Sequence, residues 1–197
     1  MANKNTSASA LIRPTLVLTG ICTVVTLLLA LTNWLTAGRI AQNAVRKAAE
    51  SRQKVLAAAD YQPVDSEGRI CKAFDDKGRL IGMVVTTASN GYGGAIEVMT
   101  GIRADGTVAG VTILSMEETP GLGAKTKEDR FLRQFKGSAA GGSYAVTKDS
   151  GEIDAVSGAT ISSRAVTAAV NEAVAIARSY LKVSDSDTHK IVAGGKE

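Results

Sequence analysis

The chain predicts an α+β domain, an antiparallel sheet packed with helices, preceded by a single N-terminal transmembrane helix. Three observations carry that expectation. A long run near the start is free of charged residues, two pairs of β-rich segments are each joined across an Asp- and Gly-containing turn, and a C-terminal segment has the apolar spacing of one helical face.

Residues 15–35 contain no Asp, Glu, Lys or Arg. As a helix this run is roughly 30 Å long, enough to cross a hydrocarbon core. Trp34 suits the headgroup region at its far end, and Pro14 suits a first helical turn. A cleaved signal peptide is the competing account, but the apolar run exceeds a signal core and no small-x-small cleavage site follows it. The expected layout is an N-terminus over 1–14, a transmembrane helix over 15–37, a helical linker over 38–60 serving as a spacer, a globular domain over 61–183, and a flexible polar tail over 184–197. Lys4 and Arg13 flank the span on one side, and Arg39, Arg46, Lys47 and Arg52 on the other. Counting positive charges therefore slightly favours a cytoplasmic domain.

Residues 69–74 and 80–87 read as strands joined through Asp75-Asp76-Lys77-Gly78, and residues 96–102 and 107–114 repeat the pattern around Arg103-Ala104-Asp105-Gly106. Gly supplies the left-handed backbone that such tight turns need. Phe131 and Phe135, at helical spacing, read as core packing. The last helix is expected over 161–181, where Val166, Val170, Val174, Ala177 and Leu181 form one apolar face. Ser157, Gly158, Ala159 and Thr160 then fall at its N-terminus, where free N–H groups and the positive dipole end favour an anion. Asp, Ser and Thr before such a run are also ordinary caps, so the residue types alone leave cap and anion site both open.

Composition narrows the function classes. The formal charge is +4 with scattered basic residues, and aromatics make up 4% of the chain, so a nucleic-acid partner is not expected. Cys22 lies in the apolar run and Cys71 in the soluble part, so no pairing is expected between them. Two cysteines and a single histidine, His189, cannot supply an iron–sulfur or zinc centre. Redox chemistry in this chain would therefore need an organic cofactor.

Asp154-x-x-Ser157-Gly158-Ala159-Thr160 resembles the flavinylation motif of the RnfG and NqrC-type FMN-binding family, with all specified positions matching. Gly91-Tyr92-Gly93-Gly94, the loop Glu118-Thr119-Pro120-Gly121-Leu122-Gly123 and the short amphipathic segment 131–135 agree with that family's FMN-binding domain in content and order. The compact length is closer to RnfG than to NqrC proportions. The resemblance implies covalent FMN, joined through a phosphoester to Thr160, with Ser157, Gly158 and Ala159 around the phosphate. It implies that Glu118, Thr119, Gly121, Leu122, Gly123 and Tyr92 meet the isoalloxazine end, with Lys125 a candidate cation nearby. Asp154 is assigned to turn or cap bonding, or to recognition by the attaching enzyme. No catalytic residue and no metal are expected.

By the same resemblance, a flavin transferase drawing on FAD matures the chain. The mature chain relays electrons beside the other membrane subunits of an Rnf-type ion-translocating ferredoxin:NAD oxidoreductase. Its flavin domain is placed on the extracytoplasmic side of the cell membrane, against the charge count. The alternatives are an NqrC-like component of a Na⁺-translocating NADH:quinone reductase and a non-redox membrane-tethered binding domain.

Overall fold

Turn chemistry sets up the sheet. In the computed structural model, which describes the backbone of residues 5–137 and 142–193, Gly78 and Gly106 take φ of 72° and 82° at two hairpin turns. Asp75 and Asp105 accept hydrogen bonds from the backbone of their own turns, at 2.9 Å from Lys77 and 2.8 Å from Thr107. The strands are β1 (Asp60–Pro63), β2 (Ile70–Phe74), β3 (Leu80–Asn90), β4 (Ala95–Arg103) and β5 (Val108–Met116). They pair antiparallel in the order β1-β2-β3-β4-β5, each with its sequence neighbour. The antiparallel sheet expected from sequence is thus present. It gains β1 at one edge, and Gly91-Tyr92-Gly93-Gly94 forms the turn between β3 and β4.

Helix α3 (Thr160–Ala193) lies on β3 and β4. Val166, Ala169, Val170, Ala173 and Val174 are buried against Met83, Val85, Ile96, Val98 and Ile102. The Thr87 hydroxyl donates to the Ala169 carbonyl at 2.8 Å and ties the two layers together. Helix α2 (Asp129–Leu132), flanked by 3-10 turns at Gly123–Lys127 and Arg133–Phe135, completes this core. Phe131 and Phe135 meet edge to face at 5.5 Å, and Phe135 meets Tyr144 at 5.4 Å. They are core side chains, as their spacing suggested.

Helix α1 (Asn5–Val55) and the remainder of the chain divide into two units, residues 1–46 and 47–197. The first unit is helical and presents apolar side chains outward, Leu16 and Leu29 each at 66% and Trp34 at 76% exposure. It includes the one helix among the described residues long and apolar enough to cross a membrane. Thr23, Thr26, Thr32 and Thr36 each donate to the carbonyl four residues back at 2.7–2.8 Å, which satisfies their hydroxyls within the helix. Pro14 lies inside α1 rather than in its first turn, because the helix already begins at Asn5.

Within the second unit, the stretch expected to be a spacer ends as core. Val55 and Leu56 are buried with Ala73, Val84 and Met99 on the sheet face opposite α3. Gly101 and Gly110 make this possible, since a Cβ on either would meet the Val55 backbone. Helix α3 also continues past the expected Leu181 to Ala193. The flexible-tail expectation for 184–197 concerns side chains and final residues outside the described ones.

Candidate functional site

The start of α3 opens onto a cleft. Gly158, at φ 76°, turns the chain so that Ala159 and Thr160 enter the helix, and a side chain at 158 would press on Leu122. The turn is held from inside. Ser163 donates to the Ala159 carbonyl at 2.9 Å and accepts from the Val156 N–H at 3.0 Å, and the Ala159 N–H reaches the Val156 carbonyl at 2.9 Å. By helix geometry the first N–H groups of α3 have no partner within the helix.

The cleft has a volume of about 460 Å³, inside the range of small-ligand pockets. Of the residues singled out in the sequence, Tyr92, Glu118, Thr119, Leu122, Gly123, Gly158, Ala159 and Thr160 line it. Two departures stand out. Ser157 lines a second cavity on the far side of the turn, because the left-handed Gly158 reverses the chain between it and Thr160. Gly121, also left-handed at φ 82°, shapes the 118–123 loop without facing the cleft.

Glu118 joins the two glycine-rich loops rather than standing free. Its carboxylate accepts from the N–H of Tyr92 at 2.8 Å and of Gly93 at 3.4 Å. Gly91 and Gly123 pack so closely on this carboxyl that a side chain on either would collide with it. The apolar wall is unusually open, with Tyr92 at 74%, Ile161 at 51% and Leu122 at 48% exposure.

Sequence reasoning missed Lys148, Ile161 and Ser162. Lys148 lies on a 3-10 turn, Thr147–Asp149, and its ammonium donates to Thr160 Oγ1 at 3.1 Å. Asp149 pairs with Arg164 through both carboxylate oxygens, at 2.8 and 2.6 Å, and Arg164 follows Thr160 by one helical turn. That guanidinium holds the Asp149 carboxyl below the usual carboxylate range, and the carboxylate in return raises the Arg164 pKa. Lys125, the cation expected near the flavin ring, lines the second cavity instead. The only sequence signal for Lys148 was a basic residue in an aperiodic stretch shortly before the motif.

Asp154 is fixed by its backbone, whose N–H donates to Gln134 Oε1 at 2.7 Å while Gln134 Nε2 donates to its carbonyl at 3.2 Å. Among the described residues no cluster of His, Cys, Asp and Glu is arranged to hold a metal. What the cleft offers is a hydroxyl beside a cation at a helix start, with apolar side chains and glycine backbone opposite. That combination suits an amphiphilic ligand with an anionic end and a flat end, and FMN fits it.

An antiparallel sheet backed by a long helix, with this cleft at the helix start, defines a flavin-binding domain, and the FMN-binding domain model matches residues 91–175. The RnfG N-terminal region model matches residues 1–55. The G subunit of the Na⁺-translocating ferredoxin:NAD⁺ oxidoreductase complex of Acetobacterium woodii is 36% identical over 177 residues, covering 78% of this chain and 85% of that one. The G subunit of the ion-translocating oxidoreductase complex of Methanosarcina acetivorans is 35% identical over 158 residues, covering 75% and 84%. The chain belongs to this RnfG family. Among solved structures, Shewanella oneidensis NqrC matches at 25% identity and a TM-score of 0.44, covering 61% of this chain and 65% of that one.

Proposed function

We propose that this chain is the flavin-carrying electron relay of an ion-translocating ferredoxin:NAD⁺ oxidoreductase complex, with FMN joined by a phosphoester to Thr160 Oγ1. The observation that carries the attachment site is selective access. Among the hydroxyls around the turn, Ser162 borders the cleft but is buried at 1% exposure, Ser163 is buried at 0%, and Ser157 lines the other cavity. Thr160 is half-buried, lines the cleft and already accepts a hydrogen bond from a cation.

Bound FMN supplies the redox chemistry, and the chain supplies position and environment. Thr160, Lys148 and the first N–H groups of α3 receive the anionic end, where the helix dipole alone contributes roughly 0.3–1 kcal/mol. Leu122, Ile161 and Tyr92 provide apolar surface for the ring, and the backbone of the 118–123 loop borders it. A separate flavin transferase carries out the attachment once, drawing on FAD. The apolar helix anchors the chain in the cell membrane with the flavin domain on the extracytoplasmic side, beside the other membrane subunits of the complex.

The test is denaturing electrophoresis of membranes from cells that contain a flavin transferase. A flavin-fluorescent band at the mass of this chain is expected for the wild type and is absent in Thr160→Ala. Persistence of the band in that variant rejects Thr160 as the attachment site.

A further inference from the structure

We propose that Lys148 is the fixed counter-charge of the cofactor's ester phosphate, the residue that pins the flavin arm against the first turn of α3. This inference rests on the reading of Thr160 as the attachment site.

Three features of the fold support it. Lys148 forms no salt bridge among the described residues; its ammonium is directed instead at the neutral Thr160 hydroxyl, at 3.1 Å. The neighbouring carboxylate that would quench it, Asp149, is committed to Arg164 by two short hydrogen bonds. The turn carrying Lys148 is held from both sides. The Asp149–Arg164 pair fixes it to α3, and behind it the Thr147 N–H donates to the Ile153 carbonyl at 2.9 Å while the Asp149 N–H donates to the Val146 carbonyl at 2.8 Å. Val146 and Ile153 themselves are buried at 1% and 2% exposure. A lysine on a free loop would give a diffuse charge, whereas here the chain holds one at the hydroxyl that becomes the ester.

Transfer of the FMN phosphoryl group from FAD breaks the pyrophosphate bond, releases AMP and the Thr160 hydroxyl proton, and leaves a phosphodiester bearing one negative charge. Lys148 is then placed for a charge-assisted hydrogen bond to it, stronger than the neutral one it makes now. Such a bond restricts rotation about the Thr160 side chain, which otherwise lets a long flavin arm sweep the cleft mouth. Lys148 is thus a positioning residue.

The experiment uses the full chain, matured in membranes by a flavin transferase, purified in detergent and followed by time-resolved anisotropy of the flavin fluorescence. Wild type is expected to tumble as one body, with little fast local motion. Lys148→Met gains a fast local component at unchanged melting temperature, Lys148→Arg suppresses it again, and about 1 M salt moves the wild type toward Lys148→Met. Asp149→Asn, which keeps the Lys148 charge but frees its turn, falls between them. A flavin-bearing Lys148→Met with the wild-type decay overturns the inference and leaves the attachment site standing. A wild-type chain without covalent flavin overturns the reading beneath it.

Discussion

Thr100 is fully buried on β4 opposite Val85, and its hydroxyl has no hydrogen-bond partner among the described residues. An orphaned buried hydroxyl loses its hydration without return. Thr100→Val, of nearly the same shape, is expected to stabilise the fold by about 1 kcal/mol, read as a raised melting temperature. Asp149 gives a pH-dependent case. Its folded pKa is depressed by the hydrogen bonds from Arg164, so its contribution is present above the ordinary aspartate range and is lost as pH falls through the lower folded value. The difference in melting temperature between wild type and Asp149→Asn is therefore expected to be constant near neutral pH and to shrink in acid below about pH 4. Residues also mark the limit of sequence reading. The place of Thr160 at the helix start was legible because its neighbours form a contiguous string, whereas Lys148 reaches it only through a folded turn held by the ion pair of its neighbour Asp149 with Arg164.

At the scale of elements, the hairpins were legible because Asp and Gly encode their turns locally, and α3 because its valines repeat at helical spacing. The edge strand β1 was not. Its four residues alternate poorly between faces and include Pro63, which only an edge tolerates, so its pairing with β2 depends on the sheet already being there. The end of α1 was misread as a spacer for a related reason: Val55 and Leu56 carry no periodic signal of their own. Their docking depends on Gly101, where any side chain would strike the Val55 carbonyl. Gly101→Ala is expected to destabilise the domain by roughly 1–3 kcal/mol, the usual cost of overpacking, measured by denaturant unfolding. A change well below that range would mean that the α1 end adjusts freely.

At the scale of the molecule, every residue assigned to the cleft lies in the second unit, 47–197. That unit includes the last turns of α1, which lie ahead of the boundary at residue 61 expected from the sequence. A fragment starting at Lys47 is expected to unfold cooperatively and to accept flavin from the transferase. A fragment starting at residue 57 lacks Val55 and Leu56 and should lose several kcal/mol, at roughly 1.5–3 kcal/mol for each buried aliphatic side chain. Equal melting temperatures for the two fragments would contradict the packing described for the α1 end.

Because α3 follows the sheet in the chain, its position also sets an order of events during synthesis. Until the ribosome has delivered residues 160–177, the sheet surface carrying Met83, Val85, Ile96, Val98 and Ile102 lacks its main cover. The nascent domain therefore passes through a sticky half-built stage, the kind that attracts chaperones. The same helix begins with Thr160, so the cleft is completed only after the strands have been made, and a chain cut short before residue 160 has neither a fully covered sheet nor a finished cleft.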